Sequence, residues 1–342
     1  MAPSIVVLAG GVGGSRFVLG VREAARRRWP DGSGGTLASI TVVANTGDDL
    51  WLTGVRLQPD VDSLLYALAG VNDAERGWGR AGDSERVASE LREWGAGWPW
   101  FTLGDLDLGT HLARTGWIRE GRSVSEVVAR LAARWPLGVR LLPMTDAEVD
   151  THVRVDAEHG GRMHFQEWWT RHRAALPALG FENPGIEDAA PAPGVTGAIR
   201  SADAVLLAPS NPVVSIGPIL AVPGVADAVR RARGGVVGVS PIIAGAAVRG
   251  MADACLSAVG IPTAADAVGL HYGARAAGGL LDGWLIAEED AALAPGLEAS
   301  GLRALARPLW MRDLDTSARL AADALDAALP TLPSPEGTLS RV

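Results

Sequence analysis

Acidic side chains are concentrated between positions 45 and 62 of the sequence, where four aspartates occur: Asp48, Asp49, Asp60 and Asp62. Residues 39–44, just before them, are mostly β-branched and apolar, which predicts a buried strand. In open α/β sheets, ligands bind just beyond the carboxyl ends of the strands. Carboxylates gathered there repel one another unless a cation or a shared proton lies between them. The stretch therefore predicts a hard-metal site, and the alternative is a solvated acidic turn that caps a helix.

The relative directions of Asp60 and Asp62 depend on where the next helix begins. The spacing of Leu64, Leu65 and Leu68 predicts a helix at this position. Residues two apart in a regular helix point in different directions. The two carboxylates can therefore converge only if Asp60 precedes the helix and Asp62 lies in its first turn.

A glycine-rich turn follows the first predicted strand, residues 4–9, and its glycines are Gly10, Gly11, Gly13 and Gly14. A helix is predicted after it, from about residue 16 to residue 28. Free N–H groups at a helix N-terminus point at any anion bound there, so this arrangement predicts a phosphate cradle. The glycine spacing does not match the dinucleotide-binding fingerprint. The alternative is a tight turn that simply requires glycine.

Aromatic and polar residues are unusually dense at positions 98–111, which include Trp98, Trp100, Phe101, Thr102, Asp105, Asp107 and His111. One interpretation is a planar ligand stacked on the aromatic rings. The other is an apolar plug beneath a helix start, with Asp105 or Asp107 as its N-cap. His111 by itself is more typical of a hydrogen-bonded structural histidine than of a base.

A third strand end carries polar residues: after the predicted strand at residues 204–208, the sequence continues Pro209-Ser210-Asn211-Pro212. The proline after Asn211 keeps the backbone extended at that point. The side chains of Ser210 and Asn211 are therefore presented at the carboxyl end of a strand. This position suits recognition of a base edge or a phosphate.

Composition excludes several classes of protein. The formal net charge of −8 argues against nonspecific nucleic-acid binding through a basic field. All 31 basic residues are arginine, which excludes a Walker-type phosphate loop and Schiff-base chemistry. The single cysteine, Cys255, excludes an internal disulfide, fits a cytoplasmic location and is expected to be a small buried side chain. We expect neither a signal peptide nor a membrane span.

The order of predicted elements indicates one α/β core with an insertion. Strands and helices alternate over most of the chain, which predicts a doubly wound, mainly parallel sheet. We assign residues 1–145 and 195–329 to this core. Residues 146–194, with a predicted hairpin and an aromatic-rich helix, form a small inserted α+β subdomain. Residues 330–342 contain three prolines and are predicted to be a flexible tail.

Seven stretches occur in the order in which one known family carries them: residues 9–16, 45–51, 59–62, 103–111, 164–167, 208–218 and 240–245. The run at 208–218, Ala-Pro-Ser-Asn-Pro-Val-Val-Ser-Ile-Gly-Pro, is highly specific. Together the stretches resemble the 2-phospho-L-lactate transferases of coenzyme F420 biosynthesis. Actinobacterial members of that family are described as phosphoenolpyruvate transferases, and the arginine- and alanine-rich composition fits that branch.

The resemblance implies a reaction, a cofactor and an assembly. A phosphoenolpyruvyl or 2-phospholactyl group passes from a guanosine diphosphate-linked donor to the ribityl hydroxyl of the deazaflavin Fo (7,8-didemethyl-8-hydroxy-5-deazariboflavin), and GMP is released. The two three-carbon acids stay alternatives. The resemblance also implies Mg²⁺ dependence, a Rossmann-like fold and a homodimer.

The resemblance also carries roles over by position. The implied metal ligands are Asp48 and Asp62. The implied catalytic residues are Asp60 and Asp49, of which Asp60 accepts a hydrogen bond from the attacking hydroxyl. The donor-binding residues are Gly10, Gly11, Gly13, Gly14, Ser210, Asn211 and Ser215, and the acceptor-binding residues are Asp60, Trp100, Phe101 and Thr102. The sequence departs from the family at Leu106 and Gly109, where arginine and alanine are usual, and the missing arginine matters if it contacts a substrate.

Two other classes are compatible with these residues. A nucleotidyl or nucleotide-sugar transferase also pairs a glycine-rich loop with metal-binding aspartates, and it would release pyrophosphate instead of GMP. A non-catalytic nucleotide-binding regulator of the broader family would keep the glycine loop but lack the acidic cluster. The four aspartates argue against the regulator.

Overall fold

The computed structural model describes residues 2–248 and 250–329. Its strands, in chain order, are β1 Ser4–Ala9, β2 Ser39–Ala44, β3 Leu50–Leu52, β4 Val55–Leu57, β5 Arg140–Pro143, β6 His152–Arg154, β7 Arg162–His164, β8 Gly180–Glu182, β9 Ala204–Leu207, β10 Gly235–Val239, β11 Ile242–Ile243, β12 Ala246–Ala247, β13 Gly283–Ala287 and β14 Arg303–Arg307. Its α-helices are α1 Gly11–Arg28, α2 Pro59–Ala69, α3 Arg86–Glu93, α4 Asp105–Arg119, α5 Val124–Ala132, α6 Val195–Ser201, α7 Gly217–Ala221, α8 Val225–Arg230, α9 Ala252–Ala258, α10 Ala265–Tyr272, α11 Ala294–Ala299 and α12 Leu314–Ala328.

A seven-stranded parallel sheet lies at the centre of the molecule, in the order β14-β13-β10-β9-β1-β2-β5. Val7 of β1 lies opposite Val42 of β2 on one side and Leu206 of β9 on the other. The strands that come first in the chain, β1, β2 and β5, form one half of the sheet. The later strands, β9, β10, β13 and β14, form the other half. The winding therefore reverses between β1 and β9, at the switch point where such sheets bind ligands. The predicted doubly wound, mainly parallel sheet is confirmed.

Helices cover both faces of this sheet because successive residues of a strand point to opposite sides. Ile5 and Val7 pack into one apolar cluster with α1, α2, α5 and α12. Val6 and Leu8 pack into the other with α6, α8, α10 and α11. Burying one such side chain contributes about 1.5–3 kcal/mol. Burial on both faces explains why the strands are continuous apolar runs rather than alternating ones.

The segment between β2 and α2 contains two strands that the sequence did not predict. Residues 50–57 form an antiparallel hairpin of β3 and β4. Its turn holds Thr53 and Gly54 at positive φ. Each strand has three residues, too few for a period-two pattern to be recognised in the sequence. The hairpin brings Arg56 next to the acidic stretch.

The small sheet β7-β6-β8 lies within residues 146–194, where the insertion was placed. Strands β6 and β7 are the predicted hairpin, and β8 is an additional strand. Phe165 and Trp168 pack there against Val214 and Cys255 of the core. Cys255 is buried, as expected, and burial raises its pKa to about 12. The aromatic run Glu167–Arg171 is a π-helical turn instead of a regular helix.

The described chain ends with α12, which packs on α1 beneath the sheet. Its N-cap, Asp313, accepts a hydrogen bond from the backbone N–H of Thr316. No helix within the described residues is long and apolar enough to cross a membrane. The tail predicted at residues 330–342 lies outside the part of the chain that the structure describes.

Candidate active site

A cavity of about 600 Å³ opens at the switch point between β1 and β9. It is lined by most of the residues that the sequence singled out, namely Gly10, Gly11, Gly13, Asp48, Asp60, Asp62, Trp100, Phe101, Thr102, Ser210, Asn211 and Ser215. Two other predicted residues, Gly14 and Asp49, are not among the described residues that line it. The structure therefore gathers three strand ends around one space, while the roles of these residues stay predictions.

The loop between β1 and α1 is tied to the end of β9 by a serine hydroxyl. Ser210 Oγ accepts a hydrogen bond from the backbone N–H of Gly10 (3.0 Å) and donates one to the Gly10 carbonyl (2.7 Å). A Cβ at Gly14 would lie 2.5 Å from the same oxygen, so glycine permits this close approach. α1 begins at Gly11, several residues earlier than predicted. Because Ser210 already donates its hydroxyl hydrogen to Gly10, it shapes the loop.

Asp60 lies directly against this loop. A Cβ at Gly10 would collide with Asp60 Oδ2, so position 10 requires glycine. Asp60 Oδ2 accepts hydrogen bonds from Asn45 Nδ2 (2.9 Å) and from Ser215 Oγ (3.4 Å). Burial raises the pKa of Asp60 to about 6, and hydrogen bonds from Asn45, Gly11 and Ser215 limit the rise. The hydrogen-bond donors that contact the Asp60 carboxylate are therefore uncharged groups.

Asp48 is the second carboxylate of this group. Asn45 Nδ2 lies 3.4 Å from Asp48 Oδ1, so one buried amide donates toward both Asp48 and Asp60. Burial raises the pKa of Asp48 well above its usual range, and repulsion from Asp60 and Asp49 raises it further. Carboxylate oxygens are the ligands that Mg²⁺ prefers in proteins. The chemistry of this pair therefore fits the implied Mg²⁺.

Asp62 belongs to a different group, on the side of the cavity formed by α4. Arg114 Nη2 donates to Asp62 Oδ1, and Arg114 Nη1 donates to His111 Nδ1 (2.9 Å). His111 Nε2 lies 3.5 Å from Asp107 Oδ1, which accepts a hydrogen bond from the Tyr66 hydroxyl (2.7 Å). Burial raises the pKa of Asp107, but His111, Tyr66 and Arg114 outweigh it and the net shift is downward. Asp62 thus has a positive partner inside the protein.

Asp60 and Asp62 diverge because both lie in the first turn of α2, which begins at Pro59. Asp60 does not precede the helix, so the condition for their convergence is not met. One carboxylate contacts the glycine loop and Asn45, and the other contacts Arg114. The geometry therefore associates Asp48 with Asp60 rather than with Asp62.

Asp49 points toward the β3–β4 hairpin. Its Oδ2 accepts a hydrogen bond from Gln58 Nε2 (2.6 Å) and lies 3.6 Å from Arg56 Nη2. Arg56 in turn makes two hydrogen bonds to Asp150, at 2.6 and 3.0 Å. Burial raises the pKa of Asp49 well above its usual range, and the charge of Arg56 opposes that rise. Through these contacts, Asp49 helps to join the β3–β4 hairpin to the segment before β6.

Aromatic side chains reach the cavity from two segments of the chain. Trp78, Trp100 and Phe101 come from the region before α4, and Trp100 stacks on Trp98 at a centroid distance of 4.6 Å. Trp169 comes from the insertion, together with Gln166. Gln166 and Trp169 were not predicted as site residues, although the aromatic run that contains them was a usable signal.

The predicted N-cap of α4 is wrong. Gly104 holds the N-cap position, and Asp105 is already inside the helix. Asp83 instead accepts hydrogen bonds at the start of α4, including one from the backbone N–H of Leu106 (2.7 Å). Asp105 accepts one from Val87 N–H (3.1 Å) at the start of α3. Asp83, which precedes α3, thus caps α4, and Asp105, which lies in α4, caps α3. The local sequence did not reveal these contacts because the partners are far apart along the chain.

The structure also shows the surroundings of two further positions raised by the resemblance, Asn211 and Leu106. Asn211 lines the cavity, and its Oδ1 accepts hydrogen bonds from the backbone N–H groups of Val213 (2.9 Å) and Val214 (3.3 Å). Its side chain also forms a hydrogen bond with the buried thiol of Cys255. Leu106 is 45% exposed and is not among the described residues that line the cavity.

The fold and the site together define a Rossmann-like α/β protein whose ligand cavity lies at the switch point of its sheet. A family model described as 2-phospho-L-lactate transferase CofD matches residues 5–300. The chain belongs to this family, as the resemblance predicted.

Relatives of similar sequence agree with this assignment, and two solved structures share the fold. Proteins from Nocardia farcinica and Thermobifida fusca, both described as phosphoenolpyruvate transferases, are each 51% identical to the chain. The matches cover 95% of this chain and 95% and 98% of those relatives. Two crystal structures of a Bacillus halodurans protein, one titled as a member of the upf0052 family, superpose with TM-scores of 0.59 and 0.58. At 18% and 16% identity over 95% of this chain and 100% and 99% of theirs, they show the fold.

Proposed function

We propose that the protein transfers a phosphoenolpyruvyl or 2-phospholactyl group from a guanosine diphosphate-linked donor to the hydroxyl of the deazaflavin Fo, in coenzyme F420 biosynthesis. The observation that carries the proposal is the meeting of the glycine loop, a carboxylate pair and aromatic walls in one cavity. Family membership supports the transferred group. The donor, the acceptor and the pathway are inferred.

The donor diphosphate is proposed to bind at the N-terminus of α1. Backbone N–H groups there have no partner within the helix and favour an anion. Ser210 shapes the loop, and Gly10 leaves room for Asp60 beside it. Asn211 and Ser215 line the same part of the cavity, where they would contact the guanosine portion.

The cation is proposed to bind between Asp48 and Asp60. Mg²⁺ held there would neutralise charge on the diphosphate and orient it for in-line displacement. This proposal exchanges the predicted roles of Asp60 and Asp62. The reason is that Arg114 already neutralises Asp62, whereas Asp48 and Asp60 contact each other through Asn45.

The acceptor ring is proposed to lie against Trp100 and Phe101, with Asp62 accepting a hydrogen bond from the ribityl hydroxyl. The hydroxyl oxygen attacks the phosphorus that carries the three-carbon acid. The bond from that phosphorus to the bridging oxygen breaks, GMP leaves with the bonding electron pair, and the proton of the attacking hydroxyl is released by way of Asp62. Such a transfer depends on positioning and charge neutralisation more than on a strong base.

Mass spectrometry of the products tests this function. Purified protein with Mg²⁺ is given Fo and either the phosphoenolpyruvyl or the 2-phospholactyl guanosine diphosphate donor. We expect a covalent adduct of Fo and one GMP per adduct with one of the donors. The Asp48→Asn variant is the control for a contaminating activity.

Release of pyrophosphate in place of GMP would overturn the proposal and indicate a nucleotidyl transferase. Absence of product with both donors, while guanine nucleotides still bind, would indicate a binding protein without this activity. The homodimer that the resemblance implies is a separate proposal, and light scattering coupled to size-exclusion chromatography tests it.

A further inference from the structure

Arg114 is a fully buried arginine on α4, with 0% of its side chain exposed. Its guanidinium contacts Asp62 Oδ1 through Nη2, and through Nη1 it contacts His111 Nδ1 (2.9 Å) and the Arg56 carbonyl (3.3 Å). A buried charge is costly unless it is paired, so these contacts hold the guanidinium in one place. The sequence alone indicates no role for Arg114, and the proposed reaction does not use it directly.

Arg114 determines which nitrogen of His111 carries the proton. A guanidinium is a donor only and stays protonated in proteins. His111 Nδ1 must therefore accept this hydrogen bond, since Asp62 Oδ2, at 3.6 Å, is beyond hydrogen-bonding distance. The ring proton then lies on Nε2, which faces Asp107 Oδ1 at 3.5 Å. In this tautomer Nε2 is a donor and has no lone pair for a metal.

Without Arg114, the same side chains would suit a transition metal. Asp62, Asp107 and His111 each offer a ligand atom, and these atoms lie within 4.8 Å of one another. Asp62 Oδ2 and His111 Nε2 are buried and have no hydrogen-bond partner among the described residues. Imidazole with two carboxylates is a common ligand set for Mn²⁺ or Zn²⁺. Arg114 makes these ligand atoms unavailable to a metal, because it binds one oxygen of Asp62 and fixes the tautomer of His111.

We propose that Arg114 is a positioning residue that keeps the cation on the Asp48–Asp60 pair and reserves the second oxygen of Asp62 for the acceptor hydroxyl. The part about the hydroxyl rests on the proposed function. The placement of the cation on Asp48 and Asp60 rests on the proposed function as well, whereas the exclusion of a metal from Asp62, Asp107 and His111 rests only on the contacts of Arg114 with Asp62 and His111.

The first test measures the tautomer of His111 in the wild-type protein. Long-range ¹H–¹⁵N correlation spectra of ¹⁵N-histidine-labelled protein distinguish the two neutral tautomers, and His111→Asn assigns the signal. We expect the proton on Nε2. A proton on Nδ1, alone or together with one on Nε2, would overturn the proposal. This measurement needs no variant at position 114.

The second test counts bound Mn²⁺ without any substrate. Electron paramagnetic resonance of Mn²⁺ titrations compares wild type with Arg114→Met and Arg114→Lys. We expect Arg114→Met to bind one Mn²⁺ more than wild type and to lose it again when His111→Asn is added. Arg114→Lys keeps a charge and is expected to bind no additional Mn²⁺. An unchanged count in folded Arg114→Met would overturn the proposal.

The third test uses turnover and separates this inference from the proposed function. In Arg114→Lys, kcat is expected to fall about 10- to 100-fold with the KM for the donor unchanged, as for other residues that orient a ligand-binding group. The effect should disappear in an Asp62→Asn background, because Arg114 acts through Asp62. Equal losses in both backgrounds would contradict the positioning role, whereas a wild-type protein that releases no GMP would contradict the proposed function instead.

Discussion

The carboxylates on the two sides of the cavity have electrostatically opposite surroundings. On the glycine-loop side, Asp48 and Asp60 share the amide of Asn45, and burial raises both of their pKa values. On the α4 side, Asp62 is paired with Arg114. The first side needs positive charge from a ligand, whereas the protein supplies it on the second. This difference supports the proposal that a cation binds on the first side and a neutral hydroxyl on the second.

The contrast arises within a single helical turn. Asp60 and Asp62 are two residues apart at the start of α2, so their side chains point about 200° apart around the helix. Under the proposed function, one short acidic motif therefore contacts both the cation and the acceptor hydroxyl while keeping them on separate sides. Four predictions test how far the two sides differ, and they are arranged from the largest expected effect to the smallest.

Asp48→Asn and Asp60→Asn should each lower kcat/KM by about 100- to 1,000-fold, because a cation-binding carboxylate supplies several kcal/mol of charge stabilisation. Steady-state assays of GMP release measure this. Asp49→Asn is the matched control, since Asp49 is buried but contacts Gln58 and Arg56. A loss in Asp49→Asn as large as in the other two would remove the distinction between the sides.

The buried carboxylates on the glycine-loop side should also make the stability of the protein depend on pH. The pKa of Asp60 is raised from 3.8 to about 6 by burial, so the folded state binds its proton more tightly than the unfolded state does. The free energy of unfolding of the metal-free protein should therefore fall as pH rises from about 4 to 6, by about 2 kcal/mol for this group.

Chemical denaturation at several pH values measures this decline. Asp60→Asn should remove the contribution of this group, about 2 kcal/mol, while the contributions of Asp48 and Asp49, whose pKa values burial also raises, remain. Arg114-paired Asp62 provides the comparison, since Asp62→Asn should leave the decline in place. A decline of the same size in wild type and Asp60→Asn would show that other groups cause it.

Gly10→Ala should destabilise the protein by about 1–3 kcal/mol and weaken donor binding, because the added methyl collides with Asp60 Oδ2 and lies 2.9 Å from Ser215 Cβ. Gly109→Ala on α4 is the control. A Cβ there meets nothing within 4 Å, so alanine should stabilise the helix by about 0.5–1 kcal/mol. Thermal melts and nucleotide titrations distinguish the two variants, and equal effects would mean that the loop tolerates bulk.

Leu106→Arg restores the residue that is usual in the family and should have the smallest effect. Leu106 is 45% exposed and lies outside the set of described residues that line the cavity. We expect kcat and the acceptor KM to stay within about twofold of wild type, with a stability cost of a few tenths of a kcal/mol for a cation near a helix N-terminus. A severalfold drop in acceptor KM would show that position 106 reaches the substrate.

The central strands were predictable because local sequence and tertiary environment agree there. Residues 4–9 and 39–44 were predicted as strands with the bounds that β1 and β2 have, since both faces of these strands are buried and their apolar runs are unbroken. The β3–β4 hairpin was missed because three-residue strands carry little pattern. The start of α1 was missed because glycine signals a turn, whereas these glycines allow close packing.

The candidate site was predictable in part for a related reason. Glycines, aspartates and the Ser-Asn pair each follow a strand, and the carboxyl ends of parallel strands meet at one edge of the sheet. Their positions around one cavity are therefore what that pattern requires. Arg114 could not be found in this way, because a single arginine within a helix has no local signature.

The sequence by itself determined the class of fold, the family and the stretches that surround the cavity, because these depend on local composition and order. Only the tertiary structure decided which aspartate has which partner. Ser210 reaches Gly10 across 200 positions of the chain, and Arg114 reaches Asp62 across 52. Such contacts depend on the order of strands in the sheet and on helix packing, which separate four similar carboxylates into two chemical groups.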